Sequence, residues 1–438
     1  MASMDIDFDD IESREVDLAT SASHPETARL LSELDRKKLA RKIALPTNDG
    51  EVRARLRELG EPITLFAIFD NLSSFTNLGS QIGDTRAISA LRFSPDSSML
   101  LTGSWTGQAK LWSVPACKEI RVLKGHKERI GGVAWHPEAT LSQSATAVNF
   151  ATSGADNVIK LWDLENDNSL RTLTGHDNRV CRIAFHPSGR YLGSASYDET
   201  WRLWDVETGG ELLLQEGHSK EVYAIAFQQD GALVASGGLD AIARVWDLRS
   251  GRTVSVLSGH SRDILSVDFS PNGYQVATGS NDDTIRIWDL RMHQAICTIP
   301  GHKSAISDLK FFQAPPKAGA YPLTDLPRAF KDLPIFSDGW SSDPDASGDV
   351  EAKPNGTNEG EHGEKPDFPV AGSFLVSCGF DGYIKVWSAD DWQLVRSMSN
   401  DQAGKVMSVD VSSDARFIAG GQYDKSFRLY ARSDVDLS

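Results

Sequence analysis

The sequence predicts an all-β fold, a seven-bladed β-propeller preceded by a short helical N-terminal segment. Two recurring marks and their spacing predict it. A Gly-His pair recurs at His126, His176, His218, His260 and His302. A tryptophan closing a β-prone run recurs at Trp112, Trp162, Trp204, Trp246, Trp288 and Trp387, and Tyr430 takes its place in a seventh copy. From Trp162 through Trp204 and Trp246 to Trp288 the interval is 42 residues, and Gly-His to tryptophan is 28 residues in three successive copies.

Each copy reads as short strands divided by turns. Val222–Phe227 is followed by a turn at Asp230-Gly231, then Leu233–Ser236, a turn at Leu239-Asp240, and Ala243–Trp246. Short β-prone runs bounded by Gly, Asp and Asn are how strands and hairpins appear in sequence. A period near 42 with these marks is the WD-repeat signature, four strands to a blade.

An Asp stands six residues before each full tryptophan copy, and a Ser or Thr four residues before that. The complete sets are His126/Thr152/Asp156/Trp162, His176/Ser194/Asp198/Trp204, His218/Ser236/Asp240/Trp246, His260/Thr278/Asp282/Trp288 and His302/Ser377/Asp381/Trp387. In WD propellers such residues form a hydrogen-bonded chain, and a satisfied buried network is rigid. His, Ser and Asp are therefore read as structural, because five copies of one catalytic triad make no sense. The first and seventh copies are degenerate. Thr106 replaces the Asp in the first, and Gly420 and Tyr430 replace Ser/Thr and Trp in the seventh.

Two insertions interrupt the period, 8 residues between His126 and Trp162 and 57 between His302 and Trp387. With both set aside, residues 74–430 hold seven lengths of about 42 residues. Too little chain follows Tyr430 for a good last strand, so the segment near Phe75–Ile82 is expected to supply it and close the ring. Closure removes exposed sheet edges. The longer insertion covers roughly 313–372. Its Gly-, Pro-, Asp- and Glu-rich part from about 341 to 368 is expected to be disordered, while Phe330, Leu333, Ile335 and Trp340 give its front apolar groups able to dock on the rim.

The net charge of −16 is concentrated in two places, −8 over residues 1–35 and −7 over residues 337–372, which leaves the propeller nearly neutral. That balance neither favours nor opposes nucleic acid. Cys117, Cys181, Cys297 and Cys378 are scattered, which supports no zinc site or disulfide framework and fits a reducing compartment. The acidic N-terminus does not read as a signal peptide, and no run is apolar enough for a membrane helix. A Gly-rich phosphate loop with Lys, a His-Glu-x-x-His and a nucleophile elbow are all missing. No catalytic residue, cofactor, metal or small-molecule substrate is expected.

Residues 1–22 read as a disordered acidic tail. Ser23-His24-Pro25-Glu26 has capping-box spacing, with Leu30, Leu31 and Leu34 following at helical intervals. The run Arg36-Lys37-Lys38 with Arg41-Lys42 suits a helix C-terminus or a nuclear-import signal. Val52, Leu56 and Leu59 form one face of a second helix, ended by Gly60 and Pro62. Two such short helices need a partner surface, either the chain's own propeller or another protein.

The stretch Ile43-Ala44-Leu45-Pro46-Thr47-Asn48-Asp49-Gly50-Glu51-Val52 and onward to Pro62-Ile63-Thr64-Leu65-Phe66 closely resembles the splicing factor motif of the pre-mRNA-processing factor four family. In that family the motif precedes a WD-repeat propeller. Within the repeats, Ser80-Gln81-Ile82-Gly83-Asp84, Tyr197–Asp205 and Gly237–Ala241 resemble it too. The chain departs from the family after Phe66, where Ala67-Ile68-Phe69-Asp70 begins a shortened linker, 67–73, in place of a long basic segment. The resemblance implies a non-catalytic, nuclear scaffold subunit of the U4/U6 particle and the U4/U6.U5 tri-snRNP. It also implies partners of the pre-mRNA-processing factor three type, in some organisms a cyclophilin, and U4/U6 snRNA directly or through partners.

The residue before each network Asp is expected in a tight turn on one end face, where propellers bind partners. Those positions hold Trp105, Ala155, Tyr197, Leu239, Asn281, Phe380 and Tyr423. Four of these seven are aromatic in a chain only 8% aromatic, which marks them as candidate protein-binding residues or RNA-stacking groups. The bland alternative is packing against neighbouring loops. A rival function is substrate receptor of a cullin-type ubiquitin ligase, because Trp246-Asp247-Leu248-Arg249 and Trp288-Asp289-Leu290-Arg291 match the Trp-Asp-x-Arg box of such receptors.

Overall fold

The computed structural model describes residues 72–314, 372–399 and 404–432. The expected N-terminal helices, with Val52, Leu56 and Leu59, lie outside the described residues. So do the acidic tail and nearly all of the long insertion.

The described chain forms seven four-stranded antiparallel sheets. Six are built from four consecutive strands. The seventh joins Val406–Val411, Phe417–Gln422 and Ser426–Ala431 to Thr76–Ile82 from the start of the described chain. Thr76 pairs with Ala431 and Ile82 with Ser426, so the expected closing strand is in place. Counting Ile88–Phe93 as the start of blade 1, this shared sheet is blade 7.

The first strands of the blades are Ile88–Phe93, Ile130–Trp135, Val180–Phe185, Val222–Phe227, Ile264–Phe269, Ile306–Phe311 and Val406–Val411. Each lies against its two neighbours all the way round, which makes them the inner wall of a closed ring. They are largely apolar and mostly buried, whereas a fourth strand such as Arg252–Ser258 alternates between exposed and covered positions. The core sits between blades. Leu101, Leu111, Val133, Phe150 and Trp162, for example, pack one blade against the next.

Two local devices repeat in every blade. Each first strand shifts register after its first residue, between Ile88 and Ala90, Val180 and Arg182, Ile306 and Asp308 and their counterparts. Such a bulge re-aims one side chain and sharpens the twist. At Gly131 the bulge brings the backbone so near the next blade that a Cβ would stand 2.5 Å from the Val180 carbonyl oxygen. The second device is the turn after the second strand. Its third residue takes positive φ in all seven blades, as Gly107, Asn157, Glu199, Ala241, Asp283, Gly382 and Lys425, near +65° to +83°. That conformation strains most side chains other than Gly and Asn, and here it holds the hairpin tight.

Candidate functional site

The five expected sets of four residues come together as hydrogen-bonded chains. At their centre stand the hydroxyls of Thr152, Ser194, Ser236, Thr278 and Ser377, one in the second strand of each of blades 2, 3, 4, 5 and 6. The tryptophan Nε1–H donates to that hydroxyl at 2.8–2.9 Å: Trp162 to Thr152, Trp204 to Ser194, Trp246 to Ser236, Trp288 to Thr278 and Trp387 to Ser377. The hydroxyl lies 2.7–2.8 Å from the Nε2 of His126, His176, His218, His260 and His302 in turn. The histidine Nδ1 lies 2.6–3.0 Å from the nearest Asp oxygen. Running donors in one direction, the hydroxyl donates to Nε2 and Nδ1–H donates to the carboxylate, an order that suits a neutral imidazole.

Among the predicted site residues, Thr152, Ser194, Ser236, Thr278 and Ser377 are each 0% exposed. They are therefore not sites in the sense of a surface: no partner, substrate or water-borne reactant reaches them, and each hydroxyl has its indole and imidazole as partners. The five histidines are buried too. Each Asp also accepts the backbone N–H of the residue after its histidine, so the loop entering a blade is tied to that blade's hairpin. The histidine and its hydroxyl act as pins.

Burial opposes ionisation of these aspartates, but the hydrogen bonds from histidine and backbone prevail and hold Asp156, Asp198, Asp240, Asp282 and Asp381 below the ordinary carboxylate value of 3.8. Burial likewise holds His260 below its ordinary 6.5, outweighing the opposing bond to Asp282. Both depressions act with one sign. The unfolded chain takes up protons first, so the stability these groups supply is complete above pH 6.5 and declines as pH falls. Urea midpoints should therefore fall slightly below about pH 6.5 and steeply below about pH 4, where the aspartates protonate in the unfolded state. A midpoint constant from about pH 7 to about pH 3 contradicts this.

The first blade keeps two separate parts of the device, with the residue types exchanged. Trp112 Nε1–H donates to Thr102 at 2.9 Å. Asp84 stands 28 residues before Trp112, the spacing of the histidine elsewhere. Thr106, at the usual Asp position, donates its hydroxyl to the Asp84 carboxylate. By residue type alone Thr106 reads as a loss; the 28-residue spacing is the signal for the swap.

The inner wall carries a second polar system that sequence reasoning missed. Arg92 Nη1 lies 3.0 Å from Asp308, donates to the Val409 carbonyl at 3.0 Å, and sits 3.1 Å from the Ser408 hydroxyl. Burial alone would raise the Asp308 carboxyl, but Arg92 and Arg182 bring it down to about 2. Asp268 accepts from Lys310 Nζ at 2.7 Å and from the Phe311 N–H at 2.8 Å, and Asp410 accepts the Phe93 N–H at 2.8 Å. These bonds cross between blades and pin the ring from inside. They line a central channel of about 1010 Å³. Charged residues within otherwise apolar strands, as in Ile264–Phe269 and Ile306–Phe311, were the available signal.

The candidate binding residues form a ring of turns. Trp105, Ala155, Tyr197, Leu239, Asn281, Phe380 and Tyr423 each donate their backbone N–H to the residue just before the first strand of the same blade: Ala87, Arg129, Arg179, Glu221, Asp263, Ala305 and Lys405, at 2.8–3.0 Å. A second ring thus lies inside the first, and sequence reasoning had not identified it. Tyr423 is 50% exposed and the other six are half-buried. Three aromatics carry a cation: Arg179 lies 3.5 Å from the Tyr197 centroid, Lys405 5.2 Å from Phe380 and Arg129 5.7 Å from Trp105. Trp105 also meets Tyr423 edge to face at 5.5 Å. Leu239 and Asn281 make the same turn without an aromatic ring.

Seven closed blades, the pinning chains and an end face ringed by turns define a WD-repeat propeller. The chain belongs to the WD domain, G-beta repeat family, whose model matches at residues 75–113, 117–163, 167–205, 210–247, 251–289, 367–388 and 392–430. A second family model, pre-mRNA processing factor 4 (PRP4) like, matches residues 52–67. The chain is similar to the U4/U6 small nuclear ribonucleoprotein Prp4 of Bos taurus and of Mus musculus, each 37% identical over 261 residues, covering 39% of this chain and 50% of the relative. It is also 37% identical over 59 residues to U4/U6 small nuclear ribonucleoprotein PRP4 of Saccharomyces cerevisiae, 14% of this chain and 12% of that one. The chain thus spans about half the length of the first of these relatives. Repeats and motif together place the resemblance on the pre-mRNA-processing factor four family.

Proposed function

We propose that the protein is a non-catalytic scaffold of the U4/U6 particle and its tri-snRNP, working in the nucleus in pre-mRNA splicing. The observation that carries this reading is the pairing, in one chain, of a PRP4-like motif at 52–67 with WD repeats running to residue 430. Val52, Leu56 and Leu59 of the motif, outside the described residues, and the turn ring of Trp105, Tyr197, Leu239, Phe380 and Tyr423 are the contacts for partner splicing factors, of the pre-mRNA-processing factor three type and, in some organisms, a cyclophilin. A propeller with its histidines and hydroxyls tied into pins supports a binding role over a chemical one.

Affinity purification of the full chain, followed by sequencing of the bound small RNAs, tests the reading. U4 and U6 should dominate, and a complex free of both would refute it. Alanine at Trp105 and Tyr197 should weaken recovery of protein partners while leaving the melting temperature unchanged; undiminished recovery removes the ring from the interface. The ligase-receptor alternative gains nothing from the geometry. Arg291 of the second Trp-Asp-x-Arg box is paired to its own Asp289 at 2.6 Å and lies over Tyr274, 3.7 Å from the ring centroid.

A further inference from the structure

The turn face divides its charge unevenly. Blades 7, 1 and 2 present Lys405, Lys425, Arg86, Lys127 and Arg129, all exposed. None of these five takes part in an ion pair among the described residues. Glu128 and Asp424 are interspersed among them, and on blades 3, 4 and 5 the same turns and loops set Asp177, Glu199, Glu221, Asp263 and Asp283 beside Arg179, Lys220 and Arg262. A ring of identical repeats would share charge evenly, so the division comes from the individual sequences of the blades.

The two blades that lack the full histidine chain lie beside each other at the ring closure and belong to the basic arc. In blade 1 a neutral Thr106 stands where five blades place the pinning Asp, and the carboxylate of Asp84 is bound by Thr106 and buried. An open notch of about 620 Å³ lies at that point, lined by Arg86, Trp105, Thr106, Lys127, Glu128 and Arg129. Arg129 is laid over Trp105, and Tyr423 braces the indole edge to face. A guanidinium resting on an aromatic ring loses less freedom when it binds, and its fork matches a carboxylate.

The geometry points to this notch as the receptor for an acidic segment of a partner protein, its Asp and Glu carboxylates paired with Arg86, Lys127 and Arg129. This rests on the turn face being a docking surface and adds the chemistry of what docks. A nucleic acid strand fits less well. Base stacking needs open aromatic faces, and Trp105 already carries a cation and an edge-on tyrosine. A phosphate track needs continuous basic surface, and here Glu128 and Asp424 interrupt the basic arc and mixed charge follows from blade 3 onward. The net basic charge at the notch, against the mixed charge on blades 3 to 5, favours a carboxylate ligand there.

The test uses the purified full chain and a fluorescein-labelled peptide of mixed Asp and Glu, read by anisotropy at low and high salt, beside a labelled oligouridylate. The peptide should bind with an affinity that falls as salt rises. R129E and K127E should each weaken it about tenfold, the size of one charge-assisted contact, while R129K, which keeps the charge and loses the fork, should fall between the parent and R129E. E221K, on the opposite arc, should leave binding equal or tighter. Circular dichroism of each variant excludes unfolding, and R86E supplies an independent reversal should one fail to fold. Peptide binding indifferent to both R129E and K127E, equal loss in E221K, or oligouridylate bound in preference to the peptide would each overturn the assignment. Recovery of U4 and U6 RNA is read separately, so a notch that fails and a particle assignment that fails give different results.

Discussion

Replacing Trp246 with alanine is expected to lower the unfolding free energy by about 3–5 kcal/mol, the cost of emptying a large core site. The indole is 3% exposed and packs with Val222, Val234 and Trp201 between blades 3 and 4. Its Nε1–H is also the donor to the Ser236 hydroxyl at 2.8 Å, so removal strikes both packing and the pin. Trp246→Phe keeps much of the buried area and loses the donor, and should fall between the parent and the alanine variant. Asp240→Ala keeps the indole but strands the Nδ1–H of a buried histidine, and should cost about 1–3 kcal/mol. His218 and Asp240 act as one unit, so the double alanine variant should cost less than the two single losses together. Urea unfolding of these variants measures all of this. Full additivity of His218→Ala and Asp240→Ala would contradict a single chain of bonds.

Shortening the chain so that it begins at Gly83 is expected to have the second large effect. The cut removes the strand Thr76–Ile82, which is the fourth strand of the closing blade. It also removes Leu72 and Phe75, 2% and 0% exposed, from the cluster containing Phe374, Val376 and Tyr430. Burial of two such side chains is worth roughly 1.5–3 kcal/mol each. The larger consequence is topological. The strand Ser426–Ala431 becomes a bare edge, and the ring is left without the hydrogen-bonded ladder joining its two ends, which favours association through that edge. On size-exclusion chromatography the shortened chain should run as oligomers, with early proteolysis near Ser426–Ala431, while a chain beginning at Leu72 should remain monomeric. A monomeric shortened chain with an unchanged urea midpoint would show that the ladder does not hold the ring.

Much of the fold was legible in the sequence because its information is local. A blade is a run of about 42 residues, and the His, Ser or Thr, Asp and Trp that pin it recur in a fixed order, with Ser or Thr, Asp and Trp at fixed offsets. The closing strand was legible as well, since too little chain follows Tyr430 to finish a seventh blade. The bulge in each first strand was not. It changes register by one residue and leaves no compositional mark, since the bulged position holds Ser89 or Gly131 in some blades and Tyr223, Leu265 or Met407 in others. The exchange of Asp84 and Thr106 was written in the spacing but concealed by the change of residue type.

By itself, then, the sequence determined the number of blades, their pins and the way the circle is completed, because each follows from a pattern that repeats along the chain. Only the tertiary structure decided which charges meet. Arg92 and Asp308 are 216 positions apart and become a part-buried ion pair on the inner wall. Arg86, Arg129, Lys405 and Lys425 come from both ends of the described chain and gather on one arc. Coulombic attraction depends on distance through space, and in a closed ring the residues farthest apart along the chain become neighbours.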